Sequence, residues 1–140
     1  MVSDTLQFVS HNVDQTTKFG EQLGAHLATG DIVCLSGEMG AGKTALVSGI
    51  GKGWGAIEPV NSPTFVLVHP HHRNRDTLRL YHLDCYRLNN VEDALSAGIE
   101  DILNGEDVVV IEWPEQIISL LPVERLWINI ELLPEDGEGR

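Results

Sequence analysis

Two short stretches of this chain are apolar almost without interruption: DIVCLS, closed off by Gly30 and Gly37, and DVVVIEW, which runs up to Pro114. Runs of this length predict strands covered on both faces, the kind found in parallel sheets. Elsewhere the apolar residues are spaced. Phe19, Leu23 and Leu27 fall on one stripe and predict a first helix, capped by Asn12 or Asp14 and stopped near Gly30. Leu46, Ile50 and Trp54 repeat that spacing, but Gly49, Gly51 and Gly53 each weaken a helix by about 1 kcal/mol relative to alanine. The second helix is therefore expected to end early. TFVLVH and TLRLYHLD alternate on either side of a polar loop, Pro70 to Asp76, and predict an antiparallel pair toward one sheet edge. NNVEDALSAGIEDIL reads as helical, with Asn90 as cap and an interruption at Gly98. Pro114 opens a short helix through Leu120, and RLWINIEL predicts a late strand. This succession points to an α/β fold, a mostly parallel sheet flanked by helices with an antiparallel edge.

The first apolar strand leads straight into glycines. Gly37 to Thr44, GEMGAGKT, matches the phosphate-loop pattern G-x-x-x-x-G-K-[ST] in full, and it lies between a predicted strand and a predicted helix as that loop requires. Gly37, Gly40 and Gly42 let successive backbone N–H groups turn inward as an anion nest, to which the following helix adds its positive end. Lys43 is placed to reach β and γ phosphates, and the Thr44 hydroxyl to ligate magnesium. Glu38 lies inside the loop and is expected to point outward, away from a triphosphate.

A phosphate loop needs an acidic partner for metal and water. Glu112 ends the strand VVVIE at the edge that would face the same crevice; the competing reading is a solvated carboxylate at a strand end. Asp84 ends an alternating segment and is a candidate for orienting water, or an ordinary turn-capping aspartate. Ser62, Pro63 and Thr64 follow the second helix, where nucleotide-sensing loops often sit; turn residues are the alternative.

Composition narrows the picture. With 140 residues and 42% hydrophobic content, residues 1–140 suit a single domain, with 134–140 as a flexible tail. A formal net charge of −12 argues against this chain alone wrapping nucleic acid; another protein should hold any RNA. No run approaches the roughly 20 apolar residues of a membrane span, and the N-terminal residues have no basic flank, so a cytoplasmic protein without membrane contact is expected. Cys34 and Cys85 belong to no metal-binding or disulfide pattern. HPHHRNRD, His69 to Asp76, reads as an exposed, flexible polar loop; His69, His71 and His72 as metal ligands are the weaker alternative.

GEMGAGKT, NSPTF, YHLDCYRL and IEWPEQ, in that order, resemble the TsaE (YjeE) family, bacterial ATPases of the tRNA threonylcarbamoyladenosine pathway. The likeness extends from roughly the first helix to the last strand. It implies a single-domain P-loop NTPase using ATP and Mg2+, working with TsaD and TsaB to place a threonylcarbamoyl group on adenosine 37 of tRNA. On that resemblance TsaD carries the transfer, TsaB scaffolds it, and ATP hydrolysis lets the complex turn over, with tRNA met only through the complex. Gly37, Gly40, Ala41, Gly42, Lys43, Thr44 and Ala45 would form the nucleotide cradle. Lys43 would contact the triphosphate, Thr44 and Glu112 would bind magnesium, Asp84 would assist hydrolysis, and Thr64 would belong to a nucleotide-responsive loop. Asp14 to Thr16 match a stretch beside the adenine, and Trp113 matches a tryptophan of functional weight. Ala45 departs from the family, which usually has a second threonine there, and weaker binding is expected at most. Cys85 stands where the family is usually apolar.

Two other readings remain at this point. A small-molecule kinase would need an arginine-rich lid, for which Arg73, Arg75, Arg79 and Arg87 are the candidates. A nucleotide-sensing interaction module with little intrinsic hydrolysis is the other. A GTPase is disfavoured by the absence of an N-K-x-D run.

Overall fold

The computed structural model describes residues 4–37, 42–60 and 68–132. Its elements are β1 (Asp4–Ser10), α1 (Val13–His26), β2 (Ile32–Ser36), α2 (Lys43–Trp54), β3 (Val68–His72), β4 (Arg79–Asp84), α3 (Val91–Ser96), α4 (Ile99–Leu103), β5 (Val108–Glu112), a 3₁₀ segment (Pro114–Leu120) and β6 (Leu126–Leu132). The strands form one six-stranded sheet in the order β1-β6-β2-β5-β4-β3. Neighbours are parallel throughout except β3, which pairs antiparallel with β4 at the edge.

β2 and β5 lie at the centre, and their unbroken apolar runs follow from that position. Val33, Leu35, Val108 and Val110 face a core completed by α1 and α2, while Ile32, Cys34, Val109 and Ile111 face a second core under α3, α4 and the 3₁₀ segment. A strand buried on both faces has no position to give to a polar residue. Cys34 and Cys85 pack in the second core as free thiols, each pushed up to about 12 first by burial.

Three expectations are corrected. The second helix does not end early: α2 runs to Trp54 and stops at Gly55, whose φ is 99°. The glycines are there for contact. A Cβ on Gly49 would stand 2.3 Å from the Thr17 carbonyl oxygen of α1, and one on Gly53 2.0 Å from that of Glu21; Gly20 and Gly24 of α1 are equally close to α2 backbone. Three glycines cost α2 about 3 kcal/mol of helix propensity, which burial of Leu46, Ile50 and Trp54 at about 2 kcal/mol each offsets. The second correction concerns the histidines. His69, Pro70, His71 and His72 are not loop but part of β3, with His71 only 8% exposed. Proline is tolerated there because β3 is an edge strand. The third is β1, which the apolar pattern did not predict. It pairs with β6 and turns Phe8 onto Phe19 of α1, ring centroids 4.2 Å apart.

The remaining local features match the sequence. Asn12, rather than Asp14, caps α1 by accepting from the Gln15 backbone N–H at 2.9 Å. Asn90 caps α3 in the same way, and Gly98 (φ 79°) separates α3 from α4. The 134–140 tail lies outside the described residues.

Candidate functional site

The carboxyl ends of β2, β5 and β4 open on one side of the sheet, and α2 begins there. Gly42, Lys43, Thr44, Asp84, Tyr86, Glu112 and Trp113 line a cleft of about 340 Å³. Gly42 makes the turn into α2 with a φ of 103°, which a side chain would strain. Thr16 of α1 lies beside it: a Cβ on Gly42 would meet Thr16 at 3.9 Å. Thr16 is itself buried, with its hydroxyl donating to Ser10 Oγ at 2.6 Å. The start of α1, where Asp14 to Thr16 were singled out, thus borders the phosphate loop.

Lys43 is 6% exposed although it carries a charge. Its Nζ donates to the Gly37 carbonyl oxygen and sits 3.8 Å from the centroid of the Trp113 ring. Burial lowers its pKa, opposed by the carboxylates of Glu112, Glu115 and Asp84. The pull of three acids on a largely desolvated ammonium keeps it in the cleft. Trp113 is the one non-glycine residue with positive φ (59°) among the described residues. That turn, followed by Pro114, folds its ring back over Lys43, and Tyr86 packs on the ring at 4.9 Å between centroids.

Asp84 and Glu112 are register partners on adjacent parallel strands, and the Cys85 N–H donates to the Glu112 carbonyl at 3.0 Å, pinning the two strand ends together. Burial raises the Asp84 pKa, with the neighbouring Glu112 adding to the rise and the Tyr86 N–H, 3.1 Å from Asp84 Oδ1, opposing it. Glu112 is 4% exposed. Its Oε2 lies 2.7 Å from Nε2 of the fully buried His82.

Of the residues singled out in the sequence, the structure brings Gly42, Lys43, Thr44, Asp84, Glu112 and Trp113 into one cleft, with Gly37 at its edge through the Lys43 hydrogen bond. Ala45 follows in the first turn of α2. Gly40, Ala41, Glu38, Ser62, Pro63 and Thr64 lie outside the described residues. The sequence reading missed His82 and Tyr86, although their spacing of two from Asp84 was a visible signal. Among the described residues no group of three His, Cys, Asp or Glu is arranged to hold a metal ion. Arg73 and Arg75 point away from the cleft: both donate to the Trp54 carbonyl at the far end of α2, roughly 16 Å along the helix from Lys43.

A family model described as "Threonylcarbamoyl adenosine biosynthesis protein TsaE" matches residues 10–139. The chain belongs to the TsaE family. Among TsaE relatives, the tRNA threonylcarbamoyladenosine biosynthesis protein TsaE of Treponema pallidum is 37% identical over 130 residues, covering 93% of this chain and 94% of that protein. The protein of the same name from Bacillus subtilis is 34% identical over 94% of this chain and 80% of its own. The crystal structure of Bacillus subtilis YdiB superposes with a TM-score of 0.65 at 30% identity, covering 84% of this chain and 70% of that one. TsaE membership agrees with the α/β sheet and its phosphate loop, and it places the family's role in tRNA threonylcarbamoyladenosine biosynthesis.

Proposed function

We propose that this chain is a magnesium-dependent ATPase that acts with TsaD and TsaB in threonylcarbamoyl modification of adenosine 37 in tRNA. The observation that carries the reading is the meeting, in one cleft, of the Lys43 ammonium, the first turn of α2 and the Asp84–Glu112 carboxylate pair. The donor set suits the metal. The Thr44 hydroxyl and the Glu112 carboxylate are hard oxygen ligands, and magnesium ordinarily completes its shell with water and substrate phosphate instead of a closed protein cage. When bound, magnesium neutralises charge on the phosphate oxygens.

The remaining work falls to the chain itself. Gly37, Gly40, Ala41, Gly42 and Ala45 supply backbone around the phosphates, and Lys43 exchanges its carbonyl and ring contacts for phosphate oxygens. Asp84 orients the attacking water; burial, which raises its pKa, makes it a better proton acceptor than a solvated carboxylate. Thr64 serves as the nucleotide-responsive hydroxyl. A single-domain protein of the cytoplasm is the reading that a role in tRNA modification supports; among the described residues no helix is long and apolar enough to cross a membrane. The net charge of −12 supports contact with tRNA through partner proteins rather than directly.

Three of the four candidate lid arginines give the kinase alternative no support; Arg87, exposed next to the cleft residue Tyr86, is the exception. Arg73 and Arg75 are committed to the end of α2, and Arg79 is exposed beside Tyr81 at the opposite end of β4 from Asp84. Phosphate release from labelled ATP and GTP, with and without TsaD and TsaB, tests the reading. ATP hydrolysis that needs magnesium and disappears in Glu112→Ala, with some nucleotide binding retained, is the expected result. Unchanged turnover in that variant removes Glu112 from the site, and phosphate passing only to an added acceptor makes the protein a kinase.

A further inference from the structure

Three imidazoles share the α2 side of the β3–β4 edge. His69 is the register partner of His82, and His71 follows two residues after His69 on the same face, its ring centroid 5.0 Å from that of His69. Of the three, His82 is the one in contact with a residue that lines the cleft. It is 0% exposed, and its Nε2 meets Glu112 Oε2 at 2.7 Å. The other ring nitrogen, Nδ1, is buried with no hydrogen-bond partner. A buried N–H without an acceptor is costly, whereas a bare ring nitrogen leaves only a weaker acceptor unmet. The proton therefore sits on Nε2, and the ring donates to the carboxylate.

We propose that His82 is a positioning residue that fixes the Glu112 carboxylate for the cation, one oxygen held by the imidazole N–H so that the group presents a single orientation to the cleft. This rests on the reading of Glu112 as a magnesium ligand. Glutamate has three side-chain torsions, and at the end of a strand beside an open cleft nothing in its own covalent structure selects one rotamer. A rigid ring supplies that selection. His82 is held by the alternation of β4, which sends Leu80, His82 and Asp84 to the same face, so one strand carries both the water-orienting acid and the group that orients the metal-binding acid. Outer-shell hydrogen bonds to metal ligands characteristically change metal affinity 10- to 100-fold when removed.

The test measures how strongly Mn2+ and a non-hydrolysable ATP analogue promote each other's binding to the full chain, from analogue affinity with and without the metal. His82→Leu is expected to lower that coupling about 10-fold while metal-free analogue affinity stays within about 2-fold. His82→Gln, whose amide nitrogen reaches the Nε2 position, is expected to restore most of it. Coupling in His82→Leu equal to the wild type, or a folded His82→Gln as impaired as the leucine variant, overturns the proposal. Glu112→Ala separates the two claims: full coupling in that variant defeats the metal-ligand reading itself, whereas lost coupling there with none lost in His82→Leu defeats only the role of His82. Nitrogen-15 spectra of the wild-type rings give an independent readout that needs no variant. The proton on Nε2 of His82, with a resonance that moves in Glu112→Gln, is expected; a bare Nε2 refutes the arrangement.

Discussion

Replacing Gly49 by alanine sets two effects of different size against each other. Helix propensity favours the change by about 1 kcal/mol, because alanine loses less backbone entropy in α2. Geometry opposes it. The new Cβ would stand 2.3 Å from the Thr17 carbonyl oxygen and 3.2 Å from Gly20 Cα, where ordinary contact begins at 3.4 Å. The obstacles are backbone atoms of a packed helix, so α1 and α2 must part locally by roughly 1 Å, and overpacking of this kind costs about 1–3 kcal/mol before the core voids it opens are counted. A net destabilisation on the order of 2 kcal/mol is expected. Urea unfolding followed by far-UV circular dichroism reads it as a lower midpoint at unchanged slope. Gly30→Ala is the control: its φ of 82° disfavours a side chain, yet no atom lies within 4 Å, so only a backbone cost of about 1–2 kcal/mol is expected, with no change in ATP affinity. Gly49→Ala, by contrast, should also weaken ATP, since α2 carries Lys43 and Thr44 in its first turn. A Gly49→Ala protein as stable as the wild type would refute the close-packing account of the α2 glycines.

Other outcomes follow from the buried titrating groups and the end of α2. His71 is held down to about 4 by burial first and then by His69, His82 and His72, so the folded chain resists protonating it while the unfolded chain protonates near 6.5. Its contribution is fully present above 6.5 and is lost as pH falls toward 4, by at most roughly 3 kcal/mol, and unfolding of wild type against His71→Leu across that window measures it. Asp84 has the opposite sign for an acid: its raised pKa means that ionisation costs stability. The Tm of nucleotide-free Asp84→Asn should therefore exceed wild type at pH 7 by on the order of 2 °C, with the gap closing below the unfolded value of 3.8, while ATP hydrolysis falls. Arg73→Ala should lower stability by about 1–2 kcal/mol in urea without altering ATP affinity, because it removes a hydrogen bond to the Trp54 carbonyl and a guanidinium 4.7 Å from the Trp54 ring centroid.

Local chemistry was legible in the sequence wherever a short span decides the structure. The turn at Gly42 into α2, the Asn90 cap and the doubly buried strands at Ile32 and Val108 each depend on residues within one turn or one strand. β1 was hidden because its partner β6 is more than a hundred positions away, and because Thr5, Leu6, Gln7 and Val9 remain exposed and so lack the clean alternation of a half-buried strand. His69 to His72 looked like a polar loop for a related reason: polarity along the chain says nothing of the pairing with β4 that buries His71. The α2 glycines were read for their propensity, whereas their meaning lay in a second helix. His82 was passed over because Glu112, the group that gives it a use, is thirty residues downstream.

The position of Lys43 also bears on which molecules can enter the cleft. Its ammonium has already surrendered most of its water and rests on a peptide oxygen and an indole face. A newcomer need not strip that hydration, but it must outbid the peptide oxygen, the indole face and the pull of Glu112, Glu115 and Asp84, and only concentrated negative charge does so. Uncharged nucleosides have nothing to offer in exchange, so on the proposed function discrimination between a nucleoside and its triphosphate begins in the resting state of one side chain.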